Sequence, residues 1–369
     1  MILAHSTHTW LPLTEKWIFG QVENIRDLKQ IVLCDKKDVR FEELATTFYN
    51  PNSGASIKSR LRNKMGLPDL FRQQILADYD DVILFSHYGI QGYHDLRLKK
   101  QRHITRFYGY DLTRTVAADK RWKNRYKKLF DDCDTFIVEG KHMKETLLEM
   151  GCDANKVEIN FLGTNIEDIT FYPRQEANTL HVLIACATAE RKGIIYALEA
   201  LHTAIKKYKI PIHIHWVGGR NSNYIEYIRY ENQLNDYITS SKLQPFITNY
   251  GFLSPEKLQT VAALCHVGIH PSVWAADGDC EGGYPVVLLD LMASGLPIIT
   301  TTHCDIPEVV NIDNGYLSPE KNSDHLASAL VDCYNTKSYI QKSLSARHTI
   351  EEKFDSVLLG ESLRKIILR

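Results

Sequence analysis

Short apolar runs alternate with longer amphipathic stretches along most of the chain. Apolar residues at helical spacing predict helices, including those at residues 193–208 and 254–265. The shorter runs, rich in Val, Ile and Phe, predict β-strands at residues 31–34, 81–86, 104–108, 134–138, 157–161, 180–186, 211–217, 246–251, 266–270 and 296–301. This alternation is typical of repeated βαβ units, which form parallel sheets covered by helices on both faces.

A polar segment near the middle of the chain, YPRQEANT at residues 172–179, interrupts this alternation. No periodic pattern crosses it, so the sequence predicts a domain boundary there. The 369 residues also exceed what one hydrophobic core usually serves. We therefore expect an α/β protein with two doubly wound, Rossmann-like parallel-sheet domains, residues 1–173 and 174–353. Ligands of such domains bind beyond the carboxyl ends of the strands, here in a cleft where the two domains face each other.

The composition narrows the class of protein. Hydrophobic residues make up 44% of the chain and charged residues 24%, as in an ordinary globular protein. The eight cysteines are scattered and form no CxxC pair, which indicates reduced thiols rather than a disulfide framework or a zinc site. The first residues lack the pattern of a signal peptide, and no apolar run is long enough to span a bilayer. These features predict a cytoplasmic protein.

Positive charge is concentrated in one part of a chain whose formal net charge is −1. Residues 97–128 contain twelve Lys or Arg against two Asp, and residues 57–66 add four more bases. Most such runs form a solvated helical face. The alternative is a surface for an anionic partner, such as lipid headgroups on the cytoplasmic face of a membrane or a phosphate-bearing substrate. Nucleic acid is not expected, because no nucleic-acid-binding motif accompanies the charges.

Residues 271–301 carry the densest candidate chemistry. Glu281 stands in a glycine-containing loop, and Asp290 stands inside an otherwise apolar helix predicted for residues 285–294. A surface-facing aspartate is one explanation of Asp290. A polar ligand such as a ribose diol is the other, because a buried, unpartnered polar group costs roughly 1–3 kcal/mol or more. The helix N-terminus behind the two glycines of EGGY would suit a phosphate.

The stretch HPSVWAADGDCEGGYPVVLLDLMASGLPIITTTHCDIPEVV resembles the signature of family 4 retaining glycosyltransferases of the GT-B fold. The likeness is greatest to the branch that builds bacterial exopolysaccharides and lipopolysaccharides. It implies that Glu281 is a catalytic residue at the donor sugar and that Asp290 holds the ribose. It covers nearly the whole chain and is strongest over residues 181–310. The matching positions are Glu281, Gly283, Tyr284, Pro285, Asp290, Ala293, Gly295, Pro297, Pro307 and Glu308.

The spacing of the two acidic residues departs from the family pattern. They stand eight positions apart in the family, whereas Glu281 and Asp290 are nine apart, and the second is Asp rather than Glu. Either Gly282 bulges out and leaves Glu281 in place, or Gly282 occupies the position of the lost acid. We favour the bulge, since glycine is the residue that such an insertion needs.

A second motif, CATAERKGIIYALEAL, follows the first strand of the second domain. It resembles the family's E-[KR]-K-G motif, which implies that Lys192 and Arg191 clamp the donor diphosphate and stabilise its leaving-group charge. A solvated basic pair is the alternative, but cations are unfavourable at a helix N-terminus unless an anion binds there. The family's arginine five residues before the lysine is replaced by Ala187, so one phosphate contact is missing or comes from elsewhere. The loops VGG and YGFLSPEKL also fit the family's strand ends.

The first domain carries weaker matches. FYGYDLTR corresponds to the family's HG-x-D, so Asp111 is a candidate catalytic residue. Tyr108 replaces the histidine, and a tyrosine donates hydrogen bonds but is no base near neutral pH. On the acceptor side the resemblance adds His87 in SHYGIQG, and Thr14 and Glu15 in LPLTEKW. Thr14 is equally well explained as an ordinary helix N-cap.

No metal or cofactor is expected. His213 and His215 share one face of a strand, and His5 lies near His8, but no third ligand follows at a familiar spacing. GT-B enzymes generally need no bound metal either. The resemblance therefore implies a retaining, metal-independent hexosyltransferase of bacterial surface polysaccharide biosynthesis. It would move a sugar from a nucleotide-sugar donor in the second domain to a hydroxyl of a glycan or lipid-linked acceptor in the first.

Two alternatives to this function stay open. One is a nucleotide-sugar-binding partner subunit that has lost catalysis, which the departures at Ala187, Tyr108 and Gly282 keep in view. The other is a different GT-B enzyme, such as a sugar-nucleotide epimerase or a phosphorylase, against which the block of residues 281–308 argues. In either case the fold implies that a last helix, residues 354–369, crosses back to the first domain.

Overall fold

The structure is a computed structural model that describes residues 1–10, 16–25, 27–37, 46–50 and 69–369. The predicted acceptor-side residues Thr14 and Glu15, and the basic stretch 57–66, lie outside the described residues. The chain divides into two compact units, one formed by Met1–Gly163 with Ser356–Arg369 and the other by Thr164–Asp355.

The first unit is built on a parallel sheet whose described strands run in the order β3-β2-β1-β4-β5-β6-β7. The strands are β1 (Ile2–Trp10), β2 (Lys29–Lys37), β3 (Thr46–Tyr49), β4 (Val82–His87), β5 (Arg102–Arg106), β6 (Thr135–Val138) and β7 (Val157–Ile159). Its α-helices are Lys16–Glu23, Leu70–Ala77, Gly89–Asp95, Arg114–Ala118, Arg121–Asp132, Lys141–Glu149 and Ser356–Leu368.

The second unit has the same plan, with a parallel sheet in the order β10-β9-β8-β11-β12-β13. The strands are β8 (Leu180–Ala185), β9 (Ile212–Val217), β10 (Ile247–Gly251), β11 (Val267–His270), β12 (Ile298–Thr301) and β13 (Gly315–Ser318). Its α-helices are Ile194–Lys206, Ile225–Ser240, Pro255–Ala263, Val287–Ala293, Ile306–Val309, Ser323–Thr336 and Tyr339–Lys353. In both sheets the strand order reverses once, between β1 and β4 and between β8 and β11, which is the pattern of a doubly wound sheet.

All ten predicted strands are present with small shifts at their ends, and three strands were not predicted: β1, β3 and β13. Strand β1 escaped prediction because polar side chains interrupt its apolar pattern, although it is a central, mostly buried strand. Its polar groups are satisfied inside the protein. The Nε2 atom of His5 lies 2.9 Å from the Gln30 side-chain oxygen, and Ser6 Oγ accepts a hydrogen bond from Arg72 Nε at 3.1 Å.

The basic block at residues 97–128 is divided between the interior and a helix surface. Arg106 is fully buried and donates two hydrogen bonds to Asn160, so it belongs to the core of the first unit. The helix Arg121–Asp132 buries its aromatic face and exposes its basic one, as the interpretation of a solvated helical face predicts. The exposed bases of this helix, Arg121, Lys123, Lys127 and Lys128, are called the basic face below.

The predicted boundary at residue 173 lies inside the second unit, because the polar segment before β8 is tied to that unit. The Tyr172 main-chain N–H donates to the Ser294 carbonyl oxygen at 3.0 Å. The Arg174 guanidinium is buried and donates to the main-chain carbonyl oxygens of Ala262, Cys265, Ser294 and Gly295. A segment held in this way is an anchor of the second unit rather than a free linker.

The last helix belongs to the first unit. Its residues Leu363, Ile366 and Ile367 join a buried cluster with Leu3 of β1 and Phe85 of β4. The Arg102 side chain donates to the Ile367 carbonyl oxygen at 2.8 Å. The core of the first unit is therefore completed by residues distant in sequence.

Substitution of the anchor tests its contribution to stability. Arg174→Met leaves several buried carbonyl oxygens without a donor, each worth about 1–3 kcal/mol, and we expect the free energy of unfolding to fall by about 3–5 kcal/mol. Urea denaturation followed by circular dichroism measures this change. Glu176→Ala, an exposed substitution two residues away, is the control and should stay within about 0.5 kcal/mol of the wild type. A loss below about 1 kcal/mol for Arg174→Met would contradict the anchoring role.

Candidate active site

A buried ion pair lies where the second sheet reverses its strand order, the position at which doubly wound sheets bind ligands. The loops after β8 and β11 bring Lys192 Nζ to 2.9 Å from Glu281 Oε2. Ser272 Oγ donates to the other carboxylate oxygen at 3.0 Å. Arg191 Nε lies 3.7 Å from Oε2, and only 7% of the Glu281 side chain is exposed. The structure thus brings together the catalytic residues predicted for the second domain.

Two glycines let these loops approach each other. Gly193 has a φ of 62°, and a Cβ at this position would lie 1.9 Å from the Pro271 carbonyl oxygen. Gly282 has a φ of 76°, in the left-handed region that favours glycine. A positive φ at Gly282 is the conformation that a bulge there needs, and Glu281 lies against Lys192.

The charges of the cluster compensate one another. Burial alone would raise the pKa of Glu281, but Lys192 and Arg191 outweigh it and hold that pKa well below its ordinary value. Burial alone would lower the pKa of Arg191, but Glu281 and Asp279 raise it, and Arg191 Nη1 lies 3.0 Å from Asp279 Oδ2. The Glu281 carboxylate is therefore ionised and the Arg191 guanidinium is charged at neutral pH.

His270 forms the floor of this cluster. Its Nε2 atom lies 4.0 Å from Glu281 Oε1, which is longer than a hydrogen bond. Both ring nitrogens are buried, and neither has a hydrogen-bond partner within the described residues. Burial lowers the pKa of His270, so the ring is neutral near pH 7. No sequence pattern singles out this residue, because a single histidine at a strand end is common.

Asp290 has a partner from the protein itself. The helix that carries it begins at Val287, two residues later than predicted, and the Asp290 side chain is only partly buried. Thr164 Oγ1 donates to Asp290 Oδ1 at 2.5 Å. The side chain is thus neither a bare surface charge nor a carboxylate that needs a ligand to satisfy it.

The other predicted donor-binding residues make structural contacts. Tyr284 is buried, and its ring meets that of Phe354 edge to face with the centroids 5.8 Å apart. The Gly283 carbonyl oxygen accepts a hydrogen bond from the Asp305 main-chain N–H at 3.1 Å. These contacts fix the loop that carries Glu281.

A pocket opens beyond the carboxyl ends of β8, β9 and β10. The VGG loop contributes Gly218 and Gly219, and the helix Ile225–Ser240 closes one side. Thr188 and Asn249 add polar groups to its lining. The position agrees with the expectation that ligands bind at this end of the sheet.

In the first unit the predicted residues form a buried hydrogen-bonded chain. Asp111 accepts hydrogen bonds from the main-chain N–H groups of Gly89 at 2.7 Å and Tyr108 at 3.0 Å, and burial raises its pKa to about 6. The Tyr108 hydroxyl lies 2.6 Å from His87 Nδ1, and His87 Nε2 lies 3.1 Å from His5 Nδ1. Burial holds the pKa of His87 well below its ordinary value. Both carboxylate oxygens of Asp111 therefore hold the main chain at Gly89 and Tyr108. The His87 ring is neutral at pH 7.

A cluster of Cys280, His303 and Cys304 lies beside Glu281 and was not predicted. Cys280 follows β11 and the other two residues follow β12, so the paired strands bring them to one edge. A hydrogen bond from Cys304, reinforced by His303 against the effect of burial, lowers the pKa of Cys280 to about 6. The Glu281 main-chain N–H points at His303 Nε2 at 3.2 Å. We call these three residues the Cys–His cluster.

Residues 180–336 match the family described as glycosyl transferases group 1. The chain is 26% identical over 295 residues to the amylovoran biosynthesis glycosyltransferase AmsK of Erwinia amylovora, covering 78% of this chain and 70% of AmsK. It is 24% identical over 303 residues to WcaL of Escherichia coli, named for colanic acid biosynthesis, covering 80% of this chain and 72% of WcaL.

A solved structure shares the fold of this chain. Anabaena HepE, crystallised with UDP and glucose, superposes with a TM-score of 0.76 at 14% identity, covering 100% of this chain and 99% of HepE. With the two doubly wound sheets, this likeness confirms the predicted GT-B fold. Among the described residues, no helix combines the length and the apolar character needed to cross a bilayer.

Breaking the buried ion pair tests whether it is formed. Lys192→Met leaves Glu281 with Arg191 alone, and we expect the free energy of unfolding to fall by about 3 kcal/mol, the low end for a buried pair that loses one member. The double variant Lys192→Met/Glu281→Gln, which leaves no unpaired carboxylate, should recover most of this loss in urea denaturation. Lys207→Met, at an exposed lysine of the same unit, is the control.

The contribution of this ion pair to the free energy of unfolding should depend on pH. Because the pKa of Glu281 is lowered below its ordinary 4.5, the pair stabilises the protein above that pH and ceases to do so as the pH falls. The difference in free energy of unfolding between wild type and Lys192→Met should therefore become smaller as the pH falls below 4.5. A difference that stayed constant from pH 7 down to the acid transition would rule out the ion pair as its cause.

Proposed function

We propose that this protein is a retaining glycosyltransferase of bacterial surface polysaccharide biosynthesis. It transfers a sugar from a nucleotide-sugar donor to a hydroxyl of a glycan or lipid-linked acceptor. The observation that carries the proposal is the buried cluster of Lys192, Arg191 and Glu281 at the reversal point of a domain that matches the group 1 glycosyltransferase family. The names of AmsK and WcaL point to polysaccharide biosynthesis, and the HepE crystals contain UDP and glucose.

On this proposal the two bases bind the donor diphosphate. They are held in place by Glu281 and Asp279, so they are ordered before the donor arrives and need little reorganisation. Negative charge grows on the diphosphate as the sugar leaves, and fixed cations in a site without water stabilise it strongly. Arg191 then supplies the contact that Ala187 cannot make. The proposed reaction needs no metal ion, since these side chains provide the positive charge.

Glu281 is the group proposed to face the sugar. Its carboxylate stays ionised, and Lys192 and Ser272 fix its orientation. Such a carboxylate accepts hydrogen bonds from sugar hydroxyls and stabilises the positive charge that develops at the anomeric carbon. Asp290, held by Thr164, is proposed to bind the ribose, together with the loop of Gly282, Gly283 and Tyr284.

The first unit is proposed to bind the acceptor. Asp111 orders the loops after β4 and β5, and the buried chain of Tyr108, His87 and His5 supports the same loops. In this proposal Asp111 acts at the reacting centre through the main chain it positions. Thr14 and Glu15 stay proposed acceptor contacts, outside the described residues.

Donor binding tests the site directly. Calorimetric titration with UDP-, GDP-, dTDP- and CMP-sugars should find one donor class that binds, and we expect Lys192→Ala and Asp290→Ala each to weaken it at least tenfold, about 1.4 kcal/mol. A lost charge-assisted hydrogen bond is worth about that much or more. The exposed substitutions Lys207→Ala and Glu176→Ala should leave the dissociation constant unchanged. Equal affinity of wild type and both site variants would remove the donor role of this cluster.

Turnover separates the proposed enzyme from its alternatives. With the donor that binds, NMR of the product should show the anomeric configuration of the donor sugar retained, and EDTA should not lower the rate. Glu281→Gln should lower kcat at least a hundredfold while the protein stays folded. A donor that binds but is never transferred to any acceptor would favour the partner subunit, and conversion of the donor without an acceptor would favour an epimerase.

A cytoplasmic location with peripheral contact to an anionic membrane is proposed from the basic face. Each basic residue near such a surface contributes about 1 kcal/mol, so changing Arg121, Lys123, Lys127 and Lys128 to Gln should weaken binding to phosphatidylserine vesicles at least a hundredfold. Vesicle cosedimentation at low ionic strength measures this. The control variant carries Gln at four exposed lysines of the second unit: Lys206, Lys207, Lys257 and Lys321. Undiminished binding of the basic-face variant would refute the membrane contact.

A further inference from the structure

The Cys–His cluster presents three metal-ligating atoms to one point. The Sγ atoms of Cys280 and Cys304 and one ring nitrogen of His303 all lie within 4.8 Å of one another. Cys304 Sγ is already 3.2 Å from His303 Nε2. In a tetrahedral zinc site, with Zn–S about 2.3 Å and Zn–N about 2.0–2.1 Å, ligand atoms lie within about 4 Å of each other. Small side-chain rotations therefore complete the geometry.

The histidine of the cluster is oriented as a metal ligand is. His303 is buried, and its Nδ1 lies 2.7 Å from Glu320 Oε1. The other oxygen of Glu320 accepts a hydrogen bond from the Trp274 main-chain N–H at 3.0 Å, so the carboxylate is itself fixed. A carboxylate on Nδ1 keeps the proton there, so Nε2 carries the lone pair that a metal ion can take. This carboxylate–histidine arrangement is the usual support of zinc-bound histidine.

The backbone conformation at Cys304 also brings the ligand side chains together. His303 and Cys304 are neighbours in sequence, and their side chains meet because Cys304 has a φ of 47°. Such a conformation is uncommon for a residue other than glycine and costs of order 1–3 kcal/mol. A disulfide between the two cysteines would need neither the histidine nor its carboxylate.

We propose that Cys280, His303 and Cys304 form a binding site for a soft divalent cation of the Zn²⁺ class. Two thiolates and an imidazole are the ligands that Zn²⁺ prefers over Mg²⁺ or Ca²⁺. Cys304 is only partly buried, so the cluster is accessible from solvent on that side. The site lies at the carboxyl ends of β11 and β12 and is separate from the proposed donor contacts of Lys192 and Arg191.

A cation bound at the Cys–His cluster would change the position of Glu281. The effect on catalysis rests on the proposed function. The Glu281 main-chain N–H donates to His303 Nε2, the atom whose lone pair the metal takes. The two interactions exclude each other, and Cys280 is the residue before Glu281. Metal binding therefore displaces the main chain that holds the catalytic carboxylate, and Zn²⁺ should inhibit transfer.

Metal binding is measured without reference to transfer. The full-length protein, reduced and freed of metal by a chelator, is titrated with Co²⁺, and thiolate-to-cobalt charge-transfer absorption reports the site. We expect one equivalent, displaced by one equivalent of Zn²⁺, and X-ray absorption of the zinc form should show two sulfurs at about 2.3 Å. Cys280→Ser and Cys304→Ser should abolish the absorption, and Glu320→Gln should weaken binding about 10–100-fold. Cys152→Ser, which removes one cysteine of the first unit, is the matched control.

The outcomes are distinct. If Cys280→Ser fails to fold, as thermal unfolding will show, Cys304→Ser and Glu320→Gln still decide. No charge-transfer absorption in the reduced wild type, or equal absorption in Cys304→Ser, overturns the site. Peptide mapping that finds Cys280 and Cys304 linked, in a protein that binds no Zn²⁺ when reduced, shows a redox pair instead. Cobalt binding without any effect of Zn²⁺ on transfer keeps the site and removes only its coupling to Glu281.

Discussion

The buried pair of Glu281 and Lys192 is the interaction on which the end of the second sheet depends. A carboxylate with 7% of its side chain exposed is not tolerated alone, because the loss of its hydration costs several kcal/mol. The loops after β8 and β11 must therefore meet, and they do so through tight turns at Gly193 and Gly282. Ser272 completes the carboxylate's hydrogen bonds.

The same pair fixes what lies around it. Once Glu281 is held, its main-chain N–H lies close enough to donate to His303 Nε2. Cys280, the residue before Glu281, then lies close to Cys304. The loop after β12 is thereby tied to the loop after β11, and Glu320, after β13, is tied to both. Four neighbouring strands thus contribute to one connected group of polar contacts at a single edge of the sheet.

The sequence predicted the elements whose physics is local, and missed those whose burial depends on distant partners. Val- and Ile-rich strands such as β8 and β9 were predicted almost to the residue, since continuous apolar runs mark strands covered on both faces. Strand β1 was missed because its interior face is partly polar and is satisfied by Gln30 and Arg72, which no local pattern reveals. Arg174 looked like part of a linker because its acceptors lie about ninety to 120 residues further along the chain.

The sequence also predicted several residues of the candidate site, but not the contacts that they make. The family resemblance assigned Lys192 and Glu281 to one donor site, and the structure brings the two side chains together. It could not show that Thr164 would satisfy Asp290. The Cys–His cluster was not predicted, because its cysteines lie in loops after two different strands and form no CxxC pair. His213 and His215, weighed as ligands, instead pair with Thr248 and Tyr250.

The last helix, Ser356–Leu368, has a consequence for the order in which the protein folds. Domains usually fold as they leave the ribosome, from the N-terminus onward. Here the sheet face that carries Leu3 and Phe85 lacks part of its cover until Leu363 and Ile367 have been synthesised. The second unit, Thr164–Asp355, is by then already complete. The half of the protein that is translated first is therefore finished last, and its apolar face must stay out of aggregates while the rest of the chain is made.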